Sequence, residues 1–388
     1  MNTFKKIMVG IVSFAMSIGM VTASVNATST YYLQGDTTGD GYVNSSDASH
    51  MMQFLTGHVT ANGYTAERMD LNKDYIINER DRIQLSQLTM GSGQNIPYLQ
   101  YTDPNPLPAK QDLDYLVYTP TYSYVNTSEC YSLNTLYDTT NGSNPVPDSI
   151  IGTDDRVQES GLLGVLRVTE ASGAGRGTAF VVDSHTLLTA AHVLRHDENF
   201  YIETNLQFKI YATSSIPSQT TITPVRYHIP ELFMLYGLDE YDYAIVTVAE
   251  DLSNYINFDL GVARKNIETE TNHTVYVTGF GGNGASSGDE LVVNPNMINV
   301  RSTGSGSLVT TPNTTSNYEL RHNVDTVGGD SGGPLYVINS DLTKTAIGIN
   351  VRHDPSSPSQ YNCATRITPD ILSFVYNNTN LSVGFPNN

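Results

Sequence analysis

The run Gly328-Gly329-Asp330-Ser331-Gly332-Gly333-Pro334 constrains this chain more than any other stretch. Glycines on both sides of Ser331 strip it of steric cover and admit backbone conformations that a β-carbon forbids. A chain with this turn bends sharply there and exposes a hydroxyl beside backbone N–H groups that can face a developing oxyanion. Taken alone, the run is also compatible with an ordinary glycine-rich loop.

Two upstream segments narrow the choice. Thr189-Ala190-Ala191-His192-Val193 follows a strand-like stretch at Gly177–Val182, a polar turn at Asp183-Ser184 and the apolar pair Leu187-Leu188. The small alanines let the backbone turn closely and present the imidazole. Asp242-Tyr243-Ala244-Ile245-Val246 sets an aspartate at the mouth of a β-branched strand. A lone histidine is more often structural, and an aspartate there more often a turn residue. The order His192, Asp242, Ser331 joins them, because it is the trypsin-like order of base, orienting carboxylate and nucleophile.

On these residues, the stretch from about Ser149 to the C-terminus resembles a trypsin-fold serine endopeptidase, and within that group the bacterial glutamyl endopeptidases of staphylococcal and bacillary type. The opening Ser149-Ile150-Ile151-Gly152-Thr153-Asp154-Asp155-Arg156 supports this, as do Thr326, five residues before Ser331, and the closing Ala364-Thr365-Arg366-Ile367-Thr368. That close leads into a short final helix with Thr368 as cap and Pro369 in its first turn. The resemblance implies a mainly β catalytic domain of two antiparallel six-stranded barrels. It implies His192 as general base, Asp242 orienting it, Ser331 as nucleophile, and the N–H groups of Gly329 and Ser331 as oxyanion hole. The cleavage chemistry needs no cofactor.

The same resemblance makes Thr326 and Asn350 the contacts to the substrate side chain. Asn350 stands where those relatives carry a histidine, so it offers a hydrogen bond and no charge. Arg352 and His353 follow and either supply that charge or are solvated loop residues. Cleavage after acidic residues is the expectation, with broad specificity as the alternative. Asp330 stands where animal relatives pair an aspartate with a freed amino terminus, here one near Ser149 or Ile150.

The N-terminal part carries a separate signal. Residues 1–27 read as a secretion signal, with Lys5 and Lys6 before an apolar core and Val25-Asn26-Ala27 as cleavage site. Two loops then repeat oxygen ligands at one spacing. Asp36, Thr38, Asp40, Asn44 and Asp47 occupy positions one, three, five, nine and twelve of the first, with Gly41 at its bend. Asp70, Asn72, Asp74, Asn78 and Asp81 repeat them in the second, where Tyr75 replaces the glycine. Tyr42 and Ile76 offer backbone carbonyls. Such spacing wraps hard oxygen donors around one calcium ion per loop, two in all.

Each loop runs into a helix, and neither has a convincing helix before it. This duplicated loop–helix unit resembles a dockerin, which implies a small all-α calcium-binding module of paired units that plugs into a cohesin on a cellulosome scaffold. The resemblance implies contact through Ser45 and Ser46 in the first copy and Glu79 and Arg80 in the second. Because the copies differ, one dominant orientation is expected. A calcium-stabilised prodomain without a partner is the plainer alternative.

The net charge of −19 argues against nucleic acid, whose phosphates would repel it. The expected partition is signal 1–27, dockerin-like module 28–92, linker or propeptide 93–148 and protease domain 149–388, secreted, with no membrane association after signal removal. Asn141–Asp148 reads as an exposed processing site, and a cut before Ser149 would follow Asp148. That cut would release the module, unless a disulfide between Cys130 and Cys363, the two cysteines of the chain, ties the pieces together. Two free thiols, or no cleavage, are equally open. Two functions remain: a scaffold-attached serine endopeptidase acting on protein or peptide substrates, or a calcium-dependent adhesion or scaffold component with a silent protease domain.

Overall fold

Apolar and β-branched runs broken by Gly, Asn and Ser turns form strands here, and the two oxygen-rich loops form turns that lead into helices. The computed structural model describes residues 32–90 apart from 41, 60 and 62, the strands at 100–101 and 122–126, and 150–378 apart from 152, 174, 196–205, 212–218, 231–232, 234–237, 265–266, 271–272, 283–300, 310–317 and 355–360. The signal-like start, Cys130 and the Asp148–Ser149 junction lie outside the described residues.

The N-terminal module contains β1 (Tyr32–Leu33), α1 (Ser45–Leu55), α2 (Gly63–Met69), β2 (Ile76–Ile77) and α3 (Glu79–Met90). Asn44 caps α1: its side chain accepts from Ser46 N–H while Asp47 reaches back to the Asn44 N–H, a reciprocal capping box. Helix α1 buries Met51 and Phe54, and α3 buries Leu85. Helix α2 precedes the second loop, contrary to the expectation that neither loop has a leading helix. Its apolar signal is only Ala66 and Met69, one turn apart and both fully buried.

Upstream of the catalytic domain come β3 (Gln100–Tyr101), paired with β1, and β4 (Tyr122–Asn126). The first sheet is then built from β6 (Val165–Glu170), β7 (Gly175–Asp183), β8 (Thr186–Thr189), β9 (Leu206–Tyr211), β10 (Gln219–Ile222), β11 (Pro224–Pro230) and β12 (Ala244–Val248), which follow the short β5 (Val157–Gln158). Its order is β10-β9-β6-β7-β8-β12-β11-β4. The second part comprises β13 (Asp259–Leu260), β14 (Val262–Ala263), α4 (Ile267–Glu270), β15 (Thr274–Gly279), β16 (Ser302–Ser307), β17 (Glu319–His322), β18 (Pro334–Ile338), β19 (Lys344–Asp354), β20 (Tyr361–Arg366) and α5 (Pro369–Asn378). Its sheet runs β17-β20-β19-β18-β15-β16-β5, with β13 parallel to β19.

The two mainly antiparallel sheets of a trypsin-like fold are therefore present, each with eight strands among the described residues where six are expected. The additions lie at the margins: β4 and β10 on the first sheet, the two-residue β5 and β13 on the second. Strand β4 falls in the stretch read as linker. It pairs antiparallel with β11 from Arg226↔Asn126 to Pro230↔Tyr122.

The final helix forms as its cap residue dictates. Thr368 Oγ1 accepts from Ile371 N–H, Pro369 opens the first turn, and Ile371, Leu372, Phe374 and Val375 are buried. Phe374 meets Tyr243 edge-to-face at 5.2 Å, which backs the strand mouth where Asp242 sits. Truncating so buried a ring to alanine costs about 3–5 kcal/mol.

Both copies fasten the module to the β domain: the end of the first packs on α5, where His58 meets Tyr376 at 4.4 Å, and the second adds a strand pair and polar contacts. Strand β2 pairs antiparallel with β14. Arg264, beside β14, binds Asp70 at 3.1 Å and Glu67 at 3.4 Å and lies over the Tyr75 ring. Asn78 donates to Thr345, Arg80 reaches Ser340 and Asp341, and His273 meets the Asp74 carbonyl. Met51, Phe54 and Leu85 share one apolar core with the catalytic sheets. Replacing Arg264 with alanine leaves Asp70 buried without its cation. The expected loss is about 3 kcal/mol, read as a lower midpoint in thermal unfolding of the whole chain, with faster hydrogen exchange at Val262 and Ala263.

Candidate active site

His192 stands on a short 3-10 turn, Ala191–Leu194, directly after β8. Asp242 closes another such turn at the mouth of β12, the strand beside β8. Pairing of Ala244 with Thr189 brings the two together. Asp242 Oδ2 lies 2.7 Å from His192 Nδ1, and Asp242 Oδ1 accepts the His192 backbone N–H at 2.9 Å. One carboxylate oxygen thus fixes the ring and the other its backbone, which leaves Nδ1 as the donor and turns Nε2 outward. Asp242 is buried and the His192 side chain is 15% exposed, so the ring is held on its inner side and open on its outer side.

Ser331 reaches the same place through the second sheet. Thr178 of β7 is the tie. Its N–H donates to the Ser331 carbonyl at 2.8 Å, its hydroxyl donates to the Gly329 carbonyl at 2.8 Å, and its own carbonyl accepts from the Thr189 hydroxyl at 2.7 Å. Gly332 packs into this corner at φ +86°, and a β-carbon there would stand 2.1 Å from the Thr178 carbonyl and 3.1 Å from Ala190 N. The glycine is required by close approach as well as by backbone angle. Gly329 also has a left-handed φ of +108°. Asn350 locks the far side, accepting Gly332 N–H and donating to the Gly333 carbonyl. The serine hydroxyl rests 3.4 Å from the Val351 carbonyl, a long contact from which it can be recruited.

The expected side-chain contacts lie at the root of this turn. Thr326 is fully buried, and its hydroxyl meets no hydrogen-bond partner among the described residues. Asn350 is fully buried, as is neighbouring His322, a residue sequence reasoning did not single out. Burial pushes His322 down to about 3, so it is a neutral dipole at ordinary pH. Arg352 is engaged by Glu319 and by Asp239 at 3.1 Å, so its charge is met by two carboxylates. His353 is buried on the same strand.

In the uncut chain Asp330 meets an arginine. Its carboxylate binds the Arg156 guanidinium at 3.1 Å, with both side chains at most 3% exposed. Cys363 is buried in β20, and its expected partner Cys130 lies outside the described residues.

In the module, the loop carboxylates are turned inward. Asp36 accepts N–H groups of Gly39 and Asp40, and Asp47 accepts those of Thr38 and Asn44. Asp70 accepts those of Asp74 and Tyr75, and Asp81 those of Leu71 and Asn78. Among the described residues no group of three or more His, Cys, Asp or Glu side chains stands ready to hold a metal ion. The donor set still suits calcium. Burial, with neighbouring Asp74, holds Asp70 up at about 6, and burial with Asp70 raises Asp81 well above the carboxylate range. Buried hard oxygens crowded in this way are what a divalent cation neutralises. Tyr75 takes φ +65°, the left-handed bend for which such a loop normally carries glycine. Arg264 over its ring and the Asp70 carboxylate on its N–H hold it there.

Comparison with known proteins agrees with this geometry. Residues 177–348 match the trypsin-like peptidase domain family, and residues 34–88 match the dockerin type I domain family. These two stretches are thus similar to a trypsin-like peptidase domain and a dockerin type I domain. It is 25% identical over 237 residues to a protein named extracellular metalloprotease from Bacillus subtilis (strain 168), across 58% of this chain and 68% of that one. A solved Glu endopeptidase in complex with MPD superposes with a TM-score of 0.43 at 16% identity, covering 58% of this chain and 97% of that one.

The segment that delivers Arg156 is anchored by Asp325, which accepts Ile151 N–H at 2.7 Å and Asp155 N–H at 3.0 Å. Burial raises the Asp325 carboxyl to about 6 from 3.8. The folded chain therefore holds that proton more tightly than the unfolded one. This contribution is largest below pH 3.8, falls as pH rises to about 6, and is constant above. Asp325→Asn should flatten the slope of stability between those limits while lowering stability throughout, since asparagine offers one acceptor for two N–H groups. Chemical denaturation across that pH range measures both.

Proposed function

We propose that the peptidase domain is a serine endopeptidase working through an acyl-enzyme. The observation that carries it is the carboxylate-fixed His192 ring at the corner where Thr178 and Gly332 hold the Ser331 turn. His192 Nε2 takes the Ser331 proton as the oxygen attacks the peptide carbonyl, and later gives it to the leaving amine. Asp242 keeps the imidazole in the working tautomer and stabilises its charged form. The N–H groups of Gly329 and Ser331 receive the oxyanion.

The finer reading is cleavage after acidic residues, with Thr326 and Asn350 as contacts. The surroundings offer hydrogen bonds and a neutral His322, while Arg352 is held by carboxylates. A site without a cation discriminates weakly between a carboxylate and its amide. On a peptide library the expected kcat/KM ratio of glutamate to glutamine before the cut is under about tenfold. In the same assay Ser331→Ala is inert, and Asp242→Asn loses about 10⁴-fold in kcat. A fluorophosphonate that labels Ser331→Ala as fast as the parent chain would count against the assignment.

In this reading the dockerin-like module binds calcium in its two loops and docks on a cohesin, with the enzyme outside the cell on a scaffold. Asp36, Asp40, Asp47, Asp70, Asp74 and Asp81 supply the charged oxygens, with Thr38, Asn44, Asn72 and Asn78 and the backbone at Tyr42 and Ile76 completing the sets. Ser45 and Ser46 are exposed, whereas Arg80 is occupied by Ser340 and Asp341 and Glu79 by Arg82. The first copy is therefore the docking face. Paired arginines at Ser45 and Ser46 should abolish calcium-dependent capture by a cohesin panel, and Glu79→Ala with Arg80→Ala should leave it intact. The reverse outcome assigns the second copy.

A further inference from the structure

We propose that Arg156 serves this fold as its built-in counter-ion for Asp330, holding the Ser331 turn in working shape in the uncut chain. The guanidinium is locked before it reaches its partner: Nε and Nη2 bind the two oxygens of Asp154 at 2.9 and 3.1 Å, and Nη1 is left for Asp330. Asp330 passes the constraint on. Its carboxylate accepts Val327 N–H at 2.9 Å, its N–H donates to the Val327 carbonyl and its carbonyl accepts Gly333 N–H. The turn that carries Gly329 and Ser331 is thus closed around one buried anion.

The surroundings are shaped for this pair. A β-carbon on Gly281 would stand 2.5 Å from both Arg156 Nη1 and Asp330 Oδ2, and one on Gly279 would stand 2.5 Å from Asp330 Oδ1. The delivering segment is seated as well, with Ile150 packed on Val327 and Ile151 N–H held by Asp325. A new terminus at Ser149 would begin two residues from Ile151, whose anchor is Asp325 and not Asp330. An ammonium ion would have to displace a guanidinium that already has all its partners. Arg156 acts through Asp330 and touches no reacting atom, so it is a positioning residue.

This inference rests on Ser331 being the nucleophile. The test uses the full chain with Asp148→Ala, its junction confirmed intact by mass, and compares fluorophosphonate labelling with a preparation cut before Ser149. The expected result is labelling rates within about threefold. Arg156→Met should slow labelling about 100-fold or more, the scale of losing an oxyanion donor, and Arg156→Lys should recover part of it. Should Arg156→Met not fold, Arg156→Met with Asp330→Asn removes both charges. That pair should restore the unfolding midpoint without restoring the labelling rate. Labelling of the cut form alone overturns the Arg156 proposal and leaves the nucleophile assignment standing. Wild-type labelling by Arg156→Met overturns it too. Labelling of neither parent form overturns both readings.

Discussion

Thr178 is where the two sheets and the nucleophile turn are tied to one another. Its N–H and hydroxyl hold the Ser331 and Gly329 carbonyls, its carbonyl takes the Thr189 hydroxyl, and the Thr178 hydroxyl also accepts Phe280 N–H from the end of β15. Four groups from three parts of the chain meet on a fully buried residue. In that setting an unmet donor or acceptor costs about 1–3 kcal/mol, so the corner is either complete or strongly disfavoured. The relation between His192 on the first sheet and Ser331 on the second follows from this tie, not from any direct pull between their side chains.

Much of the candidate site was legible because each part carries its own local chemistry. Ala190 and Ala191 permit the tight turn that presents His192, Gly332 permits the approach to Thr178, and Thr368 with Pro369 opens a helix where such residues do. What could not be read lies in partners far apart in sequence. Asp330 is expected to pair with a terminus freed by cleavage, and in the uncut chain the cation it meets is Arg156, 174 residues away. Arg156 stood in the opening segment with only one hint, an arginine directly after two aspartates in an acidic chain. His322 gave no signal, because its neutrality comes from complete burial and not from its neighbours in sequence.

The extra strands escaped for a related reason. Strand β4 is five residues long in the stretch read as linker, and it pairs with the edge of β11 about a hundred residues on. Strand β2 is two residues long and finds its partner in β14. Edge pairing of this kind satisfies backbone groups without demanding any side-chain pattern. The loop chemistry around β2 was plain in the sequence, while the surface it rests on was not.

The β2–β14 joint, with Arg264 clasped by Asp70 and Glu67, changes what kind of tool this is. A catalytic head on a long leash would sweep a volume and hunt for its targets. Here the anchor and the head are one body, so its working radius is set by its own girth. On the proposed function, polypeptides drift to it or are brought within range by whatever else hangs beside it.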